Sequence, residues 1–107
     1  MVSQEIQKEI KSITSQIVDK YKPKKIILFG SAVSGKFTKD SDLDFFIIKE
    51  DVPYLGRDRA RELRRMIVKH MAADFLIYKQ EEFDDWFEAK DPFLETIVNE
   101  GKVLYES

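Results

Sequence analysis

The sequence predicts an α/β (α+β) domain built on one β-sheet, and two patterns along its 107 residues support this fold class. Three short apolar runs rich in Ile, Leu and Phe are too brief for buried helices and are typical of buried strands. The segments around them carry apolar residues at helical spacing with charged residues between, which is typical of amphipathic helices. The length predicts one domain, spanning residues 1–107, without a separate substrate-binding lobe.

The predicted elements alternate between helix and strand. In order they are a helix from Ser3 to Pro23, a strand at 24–30, a loop or one helical turn at 31–40, a strand at 43–48, a helix at 57–71, a strand at 73–78, a helix at 81–88, a helix from Asp91 to Gly101 and an edge strand at 103–105. Ser3 is the expected N-cap of the first helix, and Pro23 ends that helix. Asp91 caps the last helix ahead of a proline, and Gly101 stops it.

Composition restricts the chemistry that is available to this chain. Its 18 basic and 20 acidic residues give a net charge of −2, which excludes a strongly basic nucleic-acid-coating protein and an acidic disordered tail. Without cysteine there is no disulfide, thiolate zinc site or thiol nucleophile, and the single histidine, His70, cannot form a histidine metal cluster alone. No apolar run is long enough for a membrane span, so we expect a cytoplasmic protein.

The positive charge is concentrated in one predicted helix. All five arginines lie in the helix at 57–71. Four basic residues of this helix recur every four positions: Arg57, Arg61, Arg65 and Lys69. They form either a solvated helix face or a face for an acidic partner or RNA, although no aromatic residues are interleaved. We expect His70 at the end of the same helix, where the helix dipole favours it.

The last third of the chain is acidic and aromatic. Between residues 80 and 100, eight acidic residues face a single lysine. The same stretch contains five large apolar residues that we expect to lie mostly in the core: Phe83, Trp86, Phe87, Phe93 and Leu94. On so small a domain, part of this apolar surface would remain exposed until another subunit covers it.

Two aspartates lie at the start of the strand predicted at 43–48. Asp42 and Asp44 are two residues apart, so period-two alternation places both on one face, which Phe46 and Ile48 continue. Two like charges side by side need a cationic partner. In a chain without cysteine this partner is a hard cation that prefers oxygen ligands, Mg²⁺ first. The alternative is a solvated turn ahead of the strand.

A third aspartate, Asp74, lies at the start of the strand predicted at 73–78. If this strand pairs with the strand that carries Asp42 and Asp44, three carboxylates meet. Such a cluster can hold two metal ions about 3.5–4 Å apart, which stabilise the entering and leaving oxygens of a phosphoryl displacement. The alternative is an acid at the exposed end of a strand.

A Gly-Ser pair follows the first predicted strand. Gly30 lets the backbone approach a phosphate closely, and Ser31 offers a hydroxyl while capping a helical turn whose first N–H groups bind anions. Lys36 and Lys39 in the following loop add positive charge. Each part alone is a weak signal, but ten residues separate Ser31 from Asp42, and this spacing makes the combination informative.

This combination resembles a known family signature. The stretch GSAVSGKFTKDSDLD, residues 30–44, resembles the signature of the DNA-polymerase-beta-like nucleotidyltransferase superfamily. Together with Asp74, the chain resembles the minimal members of that superfamily, the MNT domains, over about residues 3–105. The resemblance implies a mixed β-sheet flanked by helices.

The resemblance also implies roles for the candidate residues. Asp42 and Asp44 would hold two Mg²⁺ ions, and Asp74 would be a further metal ligand or the base for the incoming hydroxyl. Gly30 and Ser31 would bind the nucleoside triphosphate.

The reaction implied by the resemblance is transfer of a nucleoside monophosphate from a nucleoside triphosphate, with pyrophosphate as the leaving group. Many minimal members are antitoxins paired with a HEPN-domain toxin. We therefore expect AMP transfer from ATP to a hydroxyl of such a partner protein, and we do not expect nucleic acid as the direct substrate. The alternatives are a non-catalytic binding module that neutralises a partner by covering it and a small-molecule nucleotidyltransferase, with a homodimer left open.

Overall fold

The computed structural model describes residues 3–107, which form a mixed β-sheet with helices packed on both faces. The helices are α1 (Gln4–Gln16), α2 (Ser31–Ser34), α3 (Gly56–Arg64), α4 (Gln80–Glu88) and α5 (Pro92–Glu100). The strands are β1 (Lys25–Phe29), β2 (Leu43–Ile48), β3 (Ala73–Tyr78) and β4 (Lys102–Glu106). The predicted fold class is confirmed.

The sheet has the strand order β3-β2-β1-β4. β2 and β3 are parallel, whereas β1 is antiparallel to both β2 and β4. Because β2 is an inner strand, its side chains are buried on both faces. Leu43, Phe45 and Ile47 pack into the core under α1 and α3. Phe46 and Ile48 pack on the other face, against α5.

The first helix begins and ends as its sequence indicates. The Ser3 hydroxyl accepts a hydrogen bond from the Ile6 N–H at 3.3 Å, which confirms the predicted N-cap. α1 continues as a π-helical turn over Ile17–Tyr21. Lys22 then adopts a left-handed conformation (φ 55°), and Pro23 follows.

The third helix is shorter than predicted. It ends at Arg64, so the predicted helix at 57–71 is wrong in its second half. The predicted row of basic residues on one helix face therefore does not continue to Lys69. The cause is a pair of long-range contacts from α1. The Gln16 side-chain amide bonds both the N–H and the carbonyl of Val68, each at 2.7 Å. The Glu9 carboxylate accepts from the N–H groups of residues 70 and 71, which fixes that segment in a non-helical path.

Two further expectations about side-chain placement need correction. His70 is exposed and lies six residues beyond the end of α3, so it does not lie at a helix end. Of the five large apolar residues expected mostly in the core, Leu94 is fully buried, but Trp86, Phe87 and Phe93 are 57%, 38% and 47% exposed. α4 and α5 therefore present an apolar surface to solvent.

The last helix begins with the predicted cap. The Asp91 carboxylate accepts a hydrogen bond from the Leu94 N–H at 3.0 Å, and Pro92 occupies the first turn. In the part of the chain from Ser3 onward, none of the helices has the length and apolar character that crossing a membrane requires.

Candidate active site

Asp44 and Asp74 are neighbours across the sheet. β2 and β3 pair in parallel, and in this register Asp44 lies directly beside Asp74. Neighbouring strands are about 4.8 Å apart, so the two residues lie side by side on one face near the starts of their strands. The strand pairing on which the predicted carboxylate cluster depended is therefore present.

Asp42 lies just ahead of β2 and is exposed. The turn before it is closed by its own polar groups: the Ser41 N–H donates to the Thr38 carbonyl, and the Thr38 N–H donates to the Ser41 hydroxyl, each at 3.0 Å. Directly after Asp42, the Leu43 N–H donates to the Ala72 carbonyl at 3.0 Å. Asp42 is thus placed between a closed turn and the start of the sheet.

A groove of about 710 Å³ borders Asp42. It lies between the loop at 37–42, the start of α1 and the segment at 70–72. Its lining is mixed, with Thr38 and His70 beside Phe37 and Met71. A second, smaller groove on α3 has a volume of about 380 Å³ and includes none of the candidate site residues.

Gly30 lies against Asp44. Its backbone has φ 79° and ψ −151°, a conformation that is essentially restricted to glycine. A Cβ added at this position would collide with Oδ2 of Asp44. Gly30 is therefore required both for the turn that leaves β1 and for the close approach of that turn to the carboxylate.

Ser31 does not act as the predicted helix cap. The cap position of α2 is Gly30, whose carbonyl accepts from the N–H groups of Val33 at 3.1 Å and Ser34 at 3.0 Å. Ser31 is the first residue of this short helix, and its hydroxyl makes no hydrogen bond to any residue from Ser3 to Ser107. That hydroxyl is available for a ligand.

The three aspartates differ in their electrostatic environment. Burial raises the pKa of Asp44 above its ordinary value, and the negative charges of Asp74 and Asp42 raise it further. Asp74 lies 3.9 Å from the Arg64 guanidinium. Within residues 3–107, neither Asp42 nor Asp44 forms an ion pair. Asp44 thus carries an uncompensated cost of ionisation that a cation would remove.

The candidate ligands Asp42, Asp44 and Asp74 are carboxylates, which suit a hard cation, but the three do not converge on one point in this structure. Across residues 3–107, no three His, Asp or Glu side chains lie close enough together to hold a metal ion. The side chains available at this edge of the sheet are nevertheless carboxylates, and oxygen ligands of this type are those that Mg²⁺ takes in nucleotide-processing sites. The residues therefore fit Mg²⁺ by ligand type and by charge.

A family model described as polymerase beta, nucleotidyltransferase matches residues 8–107. The chain belongs to this family. The family resemblance stated from the GSAVSGKFTKDSDLD stretch is confirmed.

Individual nucleotidyltransferase relatives agree with this assignment. A Methanocaldococcus jannaschii protein with the provisional name protein adenylyltransferase is 34% identical over 106 residues, covering 92% of this chain and 97% of that protein. A Haemophilus influenzae protein provisionally named protein adenylyltransferase MntA is 44% identical over 54 residues, covering 50% of this chain and 45% of that protein. A Sulfolobus solfataricus crystal structure, described provisionally as a nucleotidyltransferase, shares the fold with a TM-score of 0.62 at 17% identity over 99% of this chain and 90% of that one.

Three residues around the candidate site are not among the site residues that the sequence predicts. Arg64, which pairs with Asp74, was read only as part of a basic cluster, and nothing in its spacing marks it. Phe29 lies directly opposite Asp44, and Phe93 packs on Phe29. Phe29 could have been found, because it immediately precedes Gly30, whereas the contact with Phe93 depends on how α5 packs on the sheet.

Proposed function

We propose that this nucleotidyltransferase is a protein adenylyltransferase that transfers AMP from ATP to a hydroxyl group of a partner protein. The single observation that carries this proposal is the placement of Asp44 beside Asp74, with Gly30 against the Asp44 carboxylate. The names of the Methanocaldococcus and Haemophilus relatives support protein as the acceptor.

Each candidate residue has a role in this proposal. Asp42, Asp44 and Asp74 would supply the carboxylates for two Mg²⁺ ions once binding draws their side chains together, and the bound ions would neutralise phosphate charge and polarise the phosphoryl group. Gly30 and Ser31 bind the triphosphate through the backbone and the free hydroxyl. These assignments are supported by the uncompensated charge at Asp44 and by the lack of a hydrogen bond to the Ser31 hydroxyl within residues 3–107.

The proposed reaction needs no covalent nucleophile from this chain. The acceptor oxygen attacks the α-phosphorus, and the bond from the α-phosphorus to the oxygen that bridges it to the β-phosphate breaks. Pyrophosphate leaves with that oxygen. The hydroxyl proton passes to a carboxylate, for which Asp74 is the candidate because it is the most exposed of the described strand acids near the site.

The proposed partner is a HEPN-domain toxin, and the proposed role of this chain is that of its antitoxin in the cytoplasm. The exposed surface of α4 and α5 supports an interaction with another protein, because Trp86, Phe87 and Val98 are 57%, 38% and 42% exposed. Acidic residues lie close to all three in the sequence.

The proposal is tested by incubating the chain with ATP, Mg²⁺ and the product of the neighbouring gene. Mass spectrometry should show an added AMP on a hydroxyl side chain of that product. The double variant Asp42→Asn/Asp44→Asn should abolish the modification, whereas Asp40→Asn, an exposed aspartate in the preceding turn, should retain it. Modification by the double variant at the wild-type rate would contradict the metal-ligand assignment.

A second candidate function is favoured by the same apolar surface. The chain could neutralise its partner by covering it, without catalysis, through the exposed α4–α5 face. In this case the double variant Asp42→Asn/Asp44→Asn, without nucleotide, should inhibit the partner as well as the wild type does. Trp86→Asp should then release the partner, while under the catalytic proposal inhibition depends on ATP.

A further inference from the structure

A row of side chains crosses the sheet at the candidate site. Phe29, the last residue of β1, lies directly opposite Asp44 in the antiparallel pairing, and Asp74 lies on the other side of Asp44. Residues directly opposite each other share a face, with Cβ atoms about 4.5–5.5 Å apart. The row therefore reads Asp74, Asp44, Phe29, and it places an aromatic ring immediately beside the carboxylates.

Phe93 of α5 packs on Phe29, the aromatic residue of this row. Its ring meets that of Phe29 edge to face, with centroids 5.7 Å apart and planes at 86°. One strand spacing plus this ring contact places Phe93 within about 10 Å of Asp44. The Phe93 side chain is 47% exposed, although it packs against a fixed neighbour.

The position of Phe93 is fixed by the helix that carries it. The next residue, Leu94, is fully buried, and Ile97 one turn later is also fully buried in the core on this face. Asp91 caps the helix two residues before Phe93. Phe93 is therefore held at the rim of the site by the buried residues of its helix, and about half of its surface remains exposed to solvent.

We propose that Phe93, supported by Phe29, is the platform on which the nucleobase of the bound nucleoside triphosphate stacks. The inference rests on the proposed function, in which the carboxylates and Gly30-Ser31 bind the phosphates. The base extends from these groups along the row, over Phe29 and onto Phe93. Stacking on an aromatic side chain is tolerant of base identity, because every base has a π-face, and its loss weakens binding by roughly five- to a hundredfold.

Phe93 contributes no hydrogen bond, so its stacking should bind purine bases alike. Replacement of Phe93 by alanine should therefore weaken ATP and GTP binding by similar factors. A loss confined to ATP would contradict a stacking platform and would indicate a polar contact to adenine.

The test compares two probes that share phosphates but differ in the base. One is an ATP analogue with a methylene bridge between the α- and β-phosphorus, which cannot release pyrophosphate. The other is inorganic tripolyphosphate. Calorimetry with Mg²⁺ measures both affinities for the wild type, Phe93→Ala, Phe93→Trp and the control Tyr54→Ala, which removes an aromatic side chain that is 92% exposed in the loop before α3.

Phe93→Ala should lose at least about fivefold in affinity for the ATP analogue and bind tripolyphosphate as the wild type does. Phe93→Trp should restore the affinity, and Tyr54→Ala should leave both affinities unchanged. Unchanged analogue binding by Phe93→Ala, or an equal loss for both probes, overturns the stacking role. A wild type that binds neither probe contradicts the proposed function itself, so the two failures are distinguishable.

Discussion

Replacement of Gly30 by alanine tests the close approach on which the site geometry depends. Two costs arise. The backbone at φ 79° and ψ −151° is strained for any residue with a Cβ, at about 1–3 kcal/mol. The new Cβ also collides with Oδ2 of Asp44, so either the carboxylate or the turn must move. We expect the free energy of unfolding of Gly30→Ala to fall by at least about 1–3 kcal/mol.

Two other glycines provide matched controls. Among residues 3–107, no atom lies within 4 Å of a Cβ added at Gly56, so Gly56→Ala should be neutral or stabilising by about 0.4–1 kcal/mol. At Gly101, an added Cβ would collide with the Ile97 carbonyl and the Ile27 side chain, at the start of β4. Gly101→Ala should lose about 1–3 kcal/mol through overpacking without disturbing Asp44.

Urea denaturation measures the free energies of unfolding, and binding of the methylene-bridged ATP analogue reports on the site. Gly30→Ala should lose nucleotide affinity even where it is fully folded, whereas Gly101→Ala should keep it. In an Asp44→Ala background, the collision is removed and Gly30→Ala should lose only the backbone strain, giving a coupling of about 0.5–3 kcal/mol. A Gly30→Ala variant as stable as the wild type, with unchanged nucleotide binding, would refute the reasoning.

Three further predictions concern charge and capping. The Arg59 guanidinium, by hydrogen bonding, lowers the pKa of Glu82 to about 2. The ionised Glu82 therefore stabilises the folded state at neutral pH, and this stabilisation is lost as pH falls from about 5 toward 2. Because Glu82 is partly exposed, Glu82→Gln should cost roughly 1–2 kcal/mol at pH 7 and flatten the acid limb of the urea-denaturation profile. Because the pKa of Asp44 is raised, its ionisation destabilises the folded state as pH rises through that pKa. Asp44→Asn should therefore be more stable than the wild type at pH 7, by less than about 1 kcal/mol after solvent screening. Equal melting temperatures of the two proteins would contradict this prediction. Asp91→Ala should lose about 1 kcal/mol in thermal denaturation with loss of its cap, and an unchanged melting temperature would contradict the capping role.

The strands were predictable because their cause is local. Apolar runs bounded by polar and glycine residues gave β2 and β3 with the bounds that the structure shows. Asp42 and Asp44 at the entry of β2 were predictable for the same reason, and the register with Asp74 follows once the two strands pair in parallel. The catalytic roles that the sequence suggests for these residues stay predictions.

The errors arose where distant contacts override the local pattern. The apolar period of α3 continues past Arg64, but Gln16 and Glu9 bond the backbone of the following segment and end the helix. Arg59 lies in the cluster of five arginines but outside the predicted basic row, and the sequence does not indicate that its side chain is buried and donates to Glu82 and to the Ile77 carbonyl. No local spacing reveals either contact, because each partner lies on another element of the fold.

The central claim is that Asp44 and Asp74 act together in nucleotidyl transfer. The most direct measurement is the rate of pyrophosphate release from ATP in the presence of Mg²⁺ and the partner protein, for the wild type and for Asp44→Asn, Asp74→Asn and the control Asp40→Asn. Each site variant should lose a factor of about 100 to 1000, because charge stabilisation at the reacting phosphate is removed, while Asp40→Asn should retain the wild-type rate. Pyrophosphate release at the wild-type rate by Asp44→Asn or Asp74→Asn would contradict the account.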